Sequence, residues 1–84
     1  MKKTRFEFEN AQGEQLAGLL ELPEGAGVDD AISEVNKRLP DESPLPPSCL
    51  IAVAAQHVGT VGSHENQPLK DGEEVTFVAP VAGG

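Results

Sequence analysis

Residues 4–39 read TRFEFENAQGEQLAGLLELPEGAGVDDAISEVNKRL, and the change of hydrophobic period inside this stretch decides the fold. Thr4 to Glu9 alternates, placing Phe6 and Phe8 on one face and Glu7 and Glu9 on the other, which is the period of a half-buried strand. Asn10-Ala11-Gln12-Gly13-Glu14 carries turn chemistry, and from Gln15 to Leu22 an extended chain puts Leu16, Leu20 and Leu22 on one side. The pair reads as a β-hairpin. Pro23 to Gly27 breaks the pattern, after which Val28, Ala31, Ile32, Val35 and Leu39 recur at helical spacing along one face. Asp29 and Asp30 open this helix and Lys37 and Arg38 close it, each charge at the favourable end of the helix dipole, and Pro40 stops it.

Downstream, Pro40, Pro44, Pro46 and Pro47 make a stiff, irregular connection. Cys49 to Val53 is a short apolar run that suits a strand buried on both faces. His57 to Gly62 reads as a short strand or an exposed loop. Leu69-Lys70-Asp71-Gly72 is a turn, and Glu74 to Val78 alternates again, with Val75 and Phe77 on one side and Thr76 and Val78 on the other. Pro80 cannot donate to a ladder, so the sheet ends there. A hairpin, a helix and further strands, in this order, give an α+β chain with the order of a ubiquitin-like β-grasp: a mixed sheet with one main helix packed across one face. Residues 1–84 form one domain in this reading, with residues 79–84 as a flexible C-terminal tail.

Composition narrows the function classes. Six Lys and Arg against fourteen Asp and Glu leave a formal charge of −8 over 84 residues, which disfavours nucleic acid and anionic membrane and suits a basic protein partner. A deep catalytic cleft enclosed by a chain this short is not expected. No run of about 20 apolar residues is present to span a bilayer, and the N-terminus lacks the apolar segment of a signal peptide, so the chain reads as cytoplasmic. A lone cysteine, Cys49, makes no internal disulfide and sits in an apolar run, where it reads as a small core residue. His57 and His64 lack metal-ligand spacing and read as surface histidines, so no metal site is expected. Gly59 to Gly62 is too short for a phosphate-cradling loop.

The ending, Pro80-Val81-Ala82-Gly83-Gly84, is the chemically distinctive segment. Two glycines carry the terminal carboxylate on a stalk without side chains, able to thread a narrow channel and approach a nucleotide closely. Residues 67–84, Gln67-Pro68-Leu69-Lys70-Asp71-Gly72 followed by Glu73 to Gly84, resemble the C-terminus of the small subunit of molybdopterin synthase. In that family a leucine, an acidic residue with glycine, a Glu-Val strand, a Pro-Val pair and a terminal Gly-Gly recur in this order. Leu22-Pro23-Glu24-Gly25 and Ala52-Val53 look like the family too, whereas Ala54 stands where it usually has asparagine and Ala79 where a second proline is frequent.

The resemblance implies a non-catalytic sulfur carrier of the ubiquitin-like, Gly-Gly-terminated kind. An E1-like adenylyltransferase would use ATP to adenylate Gly84, a sulfur donor enzyme would convert it to a thiocarboxylate, and the large subunit would receive the tail. Sulfur would pass there to cyclic pyranopterin monophosphate, in molybdenum cofactor biosynthesis. No cofactor is expected on this chain itself. Gly83, Ala82, Val81, Pro80 and Val78 would meet the partners, Val78 because it lies beside the tail on the face opposite Phe77. Two alternatives share the same ending: a carrier for thiamine or cysteine synthesis, and a ubiquitin-like modifier joined through Gly84 to lysines of other proteins.

Overall fold

The computed structural model describes residues 1–80. Within them the first hairpin is β1 (Lys2–Glu9) and β2 (Gln15–Leu22), and the helix is α1 (Val28–Lys37). Then follow β3 (Leu50–Val53), β4 (Gln56–Thr60), β5 (Ser63–His64) and β6 (Glu74–Val78). All strands join one six-stranded sheet in the order β2-β1-β6-β3-β4-β5. β1 and β6 pair in parallel and every other neighbouring pair is antiparallel. The mixed sheet with its helix on one face is the ubiquitin-like β-grasp expected from the element order.

Alternation builds the core. Phe6, Phe8, Leu20, Leu22, Ile51, Val53, Val75 and Phe77 point to the helix side and meet Val28, Ala31 and Val35 of α1, with Ile32 and Leu39 packed at the margin. The helix is seated by its ends. Gly27 donates its N–H to Asp30 Oδ2 at 2.9 Å, while Asn66 Oδ1 accepts the N–H of Asp29 at 2.9 Å, so a side chain far along the sequence fills a helix N-terminal vacancy. That close approach demands glycine: a Cβ on Gly27 would stand 2.7 Å from Asn66 Oδ1 and 2.8 Å from the Gln67 carbonyl oxygen. At the other end Arg38 donates to the Leu19 carbonyl at 2.7 Å and lies over the Phe6 ring, 5.4 Å from its centroid. The proline-rich connection is tied down by Leu45, which is buried and donates its N–H to Asn36 Oδ1 at 2.8 Å.

Several residues differ from the sequence expectation. Cys49 to Val53 is not buried on both faces: Ile51 and Val53 are in the core, but Leu50 is 43% exposed, because the single helix covers one side of the sheet only. Leu16 shares the inward parity of Leu20 and Leu22, yet lies near the hairpin tip and is 37% exposed. Ala79 belongs to the folded body rather than to the tail; it is buried, and its N–H donates to the Glu9 carbonyl at 2.8 Å, prolonging the β1–β6 pairing by one step. Lys2 is 4% exposed, its ammonium donating to the carbonyls of Ala26 and Leu69. Cys49 is in the core, where burial pushes its thiol up to about 11. No helix of the described residues is long and apolar enough to cross a membrane.

His64 is more enclosed than a surface histidine: its side chain is 9% exposed, with Nδ1 2.8 Å from the Thr60 carbonyl and Nε2 2.6 Å from Asp29 Oδ1. Both partners are acceptors, so only the doubly protonated ring donates to each. Burial pulls its pKa down, but the hydrogen bond to Asp29, the Thr60 carbonyl and the charge of Asp29 outweigh that and leave it raised above 6.5. A raised folded-state value means that the stabilisation is complete below the unfolded pKa and is lost as pH rises through the folded one. Denaturant titrations should therefore show the native chain losing part of its advantage over Asp29→Asn as pH rises above 6.5 through the raised folded-state value. A pH-independent difference between the two would refute the linkage.

The two-residue turn joining β3 to β4 generates another expectation. Ala54 and Ala55 hold φ of 50° and 67°, the left-handed conformation of a type I′ hairpin turn, for which Asn-Gly is the favoured pair. Alanine there carries a steric cost of about 1 kcal/mol per residue. Ala54→Asn with Ala55→Gly should stabilise the domain by about 1–2 kcal/mol in chemical denaturation, since the strain is relieved without touching the core.

Candidate functional site

The site is built around the end of β6. Strand pairing on both sides, with β1 and β3, holds this strand in the middle of the sheet. Ala79 is pinned through Glu9, and Pro80 is the first exposed residue after it. Val81, Ala82, Gly83 and Gly84, four of the residues assigned to the tail from sequence, lie outside the described residues; Pro80 and Val78 lie inside them.

Val78 occupies the uncovered face of the sheet. Its register partners are Glu9 on β1 and Leu50 on β3, and Leu50 in turn pairs with Thr60. One step further from the tail the row is Glu7, Thr76, Ala52 and His57. The result is a small apolar patch, Leu50 with Val78 and Ala52, immediately beside the place where the chain leaves the sheet. Glu7 and Glu9 of β1 border it on one side and Glu74 lies further along β6, in register with Arg5, while Gln15 Nε2 donates to Glu9 Oε1 at 3.0 Å. An apolar centre with an acidic margin suits a partner that offers the converse, apolar side chains edged by lysine or arginine.

Sequence reasoning placed Val78 on this face but missed Leu50. The signal was present in the parity of Cys49 to Val53: with a single helix available, alternate residues of the central strands have no second layer to cover them. Glu73 and Glu74 separate as neighbouring strand residues do, Glu73 accepting the Lys70 N–H at 2.9 Å within the turn and Glu74 facing solvent. Phe77 is wholly in the core. Among the described residues no three of His, Cys, Asp and Glu come close enough to hold a metal ion. Gly59 and Thr60 end β4, and Val61 and Gly62 form the β4–β5 turn, anchored by the Val61 N–H to the Cys49 carbonyl and the Gly62 N–H to the Pro47 carbonyl, both at 2.9 Å.

Comparison with known proteins agrees with this architecture. The sequence matches the ThiS family over residues 9–84. A solved structure from Pyrococcus furiosus, described as a molybdopterin converting factor, subunit 1, superposes with a TM-score of 0.67 at 28% sequence identity. The match covers 96% of this chain and 100% of that one. No curated protein sequence matches.

The two faces of β3 make unlike contributions to stability, which mutation can separate. Leu50→Thr should change the unfolding free energy by no more than about 0.5 kcal/mol, because the side chain is half in water and threonine keeps the strand preference. Ile51→Ala, one residue along, should cost about 2–4 kcal/mol through lost burial and a core cavity. Comparable losses from both would mean that Leu50 is part of the core and not of a surface patch.

Proposed function

The chain belongs to the ThiS family of sulfur carriers, and from that premise we propose that it is the sulfur-carrying small subunit of a molybdopterin synthase, with the carboxylate of Gly84 as its reactive group. The observation that carries the reading is the structural match to the Pyrococcus furiosus protein over nearly the whole of both chains, together with a family match that runs through the Gly-Gly terminus. The Val78 and Leu50 patch beside Pro80 supports it, since a partner that takes the tail would meet this face first.

The chemistry divides between carrier and partners. A carboxylate is a poor electrophile, so an E1-like adenylyltransferase couples the Gly84 oxygen to the α-phosphorus of its bound ATP, expelling pyrophosphate. A reduced sulfur supplied by a donor enzyme then displaces AMP and leaves a thiocarboxylate. In the large subunit that sulfur passes to cyclic pyranopterin monophosphate. This chain supplies the acyl terminus and the recognition surface; acids, bases and the nucleotide site belong to the partners. Gly83 and Ala82 let the terminus pass a narrow channel, and Pro80 stiffens its root.

The test is an intact mass spectrum of the chain purified from cells that contain its own activating enzyme, followed by incubation with a molybdopterin synthase large subunit and cyclic pyranopterin monophosphate. The expected results are a mass gain equal to exchange of one oxygen for sulfur and its loss on incubation with the acceptor. Deleting Gly84 should abolish both while leaving the thermal midpoint unchanged. A thiocarboxylate that the acceptor does not consume would reassign the carrier to thiamine or cysteine synthesis. Adenylation without sulfur gain, accompanied by isopeptide-linked conjugates, would make it a protein modifier.

A further inference from the structure

The two borders of the sheet are unlike. β5 closes one of them with two residues, Ser63 and His64, whereas β2 lies along the other for eight, Gln15 to Leu22, in unbroken register with β1. A border of that length invites a further strand, and proteins commonly blunt it with lysine, proline or a bulge within the strand. Gln15 to Leu20 reads QLAGLL, with neither a charge nor a proline, and Leu19 is 55% exposed.

The bonds of β1 fix which backbone groups of β2 face that border. Arg5 donates its N–H to the Glu73 carbonyl, and the carbonyls of Lys3 and Glu9 accept from Gly72 and Ala79, so the odd residues of β1 turn to β6. The even ones turn to β2, opposite Leu16, Gly18, Leu20 and Leu22. Gln15, Ala17, Leu19 and Glu21 therefore direct their N–H and C=O groups outward. Arg38 occupies one of these: its Nη2 donates to the Leu19 carbonyl at 2.7 Å. The side chain reaches it over the Phe6 ring and past Gly18, where a Cβ would stand 3.1 Å from Arg38 Nη1. Glycine leaves that path open, and a cation delivered from the end of the helix takes the place of a charged residue within the strand.

The strand that fits this border is β2 itself. Paired antiparallel about a two-fold axis at Gly18, Ala17 falls opposite Leu19 of the second copy, Leu16 opposite its Leu20 and Gln15 opposite its Glu21, so no two like charges meet along the strand. This register needs the Leu19 carbonyl to accept the Ala17 N–H of the other copy, and that oxygen is the one Arg38 holds. The two guanidinium groups would also approach each other across the axis. We propose that the open border of β2 is a pairing surface for a second copy of this chain and that Arg38 holds it shut. Opening it takes the rotation of one exposed side chain, with loss of a hydrogen bond and a ring contact. β1 separates β6 from this border, so the inference stands independently of the reaction assigned to Gly84.

Sedimentation velocity on the full chain across a concentration series tests it. The native chain should sediment as a monomer throughout. Arg38→Met, which keeps an apolar stem over Phe6 but has no donor for the Leu19 carbonyl, should pass to a dimer, with self-association tightened at least about tenfold. Amide exchange at Ala17 and Leu19 should slow in that dimer. Adding Ala17→Pro, which removes one of the outward N–H groups, should restore the monomer. Arg38→Ala repeats the test should the methionine variant not fold, and native-like β3 and β6 amide resonances report the fold of each. Arg38 variants that stay monomeric at every concentration, a dimer indifferent to Ala17→Pro, or a native chain already paired through this border would overturn the proposal.

Discussion

The parallel pairing of the first strand with the last is the constraint on which the molecule depends. Arg5 through Glu9 align with Glu74 through Val78, and backbone bonds extend the seam at both ends, from the Gly72 N–H to the Lys3 carbonyl and from the Ala79 N–H to the Glu9 carbonyl. Two antiparallel units, β1 with β2 and β3 with β4 and β5, meet only through this seam and the β3–β6 ladder. The core is therefore incomplete until nearly the whole chain is available, a long-range topology in which loop closure precedes its reward. Lys2 adds to the seam's outer end by bridging the Ala26 and Leu69 carbonyls, joining the loop before the helix to the loop before β6.

Parallel alignment also fixes where the proposed recognition surface sits. Because β1 and β6 run the same way, their C-terminal ends lie together, so the hairpin turn after β1 and the tail after β6 share one end of the sheet. The Val78 and Leu50 patch on the uncovered face lies at that end, beside Pro80. On the proposed reading, a partner that takes the tail would meet a patch whose acidic margin comes from the outward residues of β1, the same strand whose inward phenylalanines anchor the core. One alternating sequence, Phe6 to Glu9, thus serves stability with one parity and, on the proposed reading, recognition with the other.

This division explains what the sequence discloses and what it hides. Period and punctuation disclose the hairpin, the helix from Val28 and the final strand, because each has a local cause: alternation, an amphipathic face, a stopping proline. The seam between β1 and β6 is not local, yet the order of elements implies it once the fold is recognised. Leu50, Lys2, Ala79 and His64 were hidden for a common reason. Exposure of Leu50 depends on the number of layers, burial of Lys2 on the loops that carry Ala26 and Leu69, burial of Ala79 on Glu9 at the far end of the chain, and enclosure of His64 on Asp29 in the helix. None of these is set by neighbours in sequence. The proposed reactive terminus is the reverse case, an expectation drawn from the chemistry of Gly83 and Gly84 alone.

On the proposed reading, in which the tail enters a partner's channel, the carrier needs few chemical groups of its own and a small domain is enough. Among the described residues the last backbone bond to the body is at Ala79, and the five residues from Pro80 to Gly84 bound the reach of the carboxylate beyond it at about 16–18 Å by chain length alone. A longer tail would add conformations to be lost on insertion; a shorter one would bring the bulk of the sheet against the mouth of the channel. Proline at the root and glycines at the tip divide the segment accordingly, one limiting the directions the tail can take and the others removing side chains where the passage is narrowest. The folded body, by holding Ala79 in register at the centre of the sheet, fixes the point from which, on the proposed reading, chain length sets how far the carboxylate can reach.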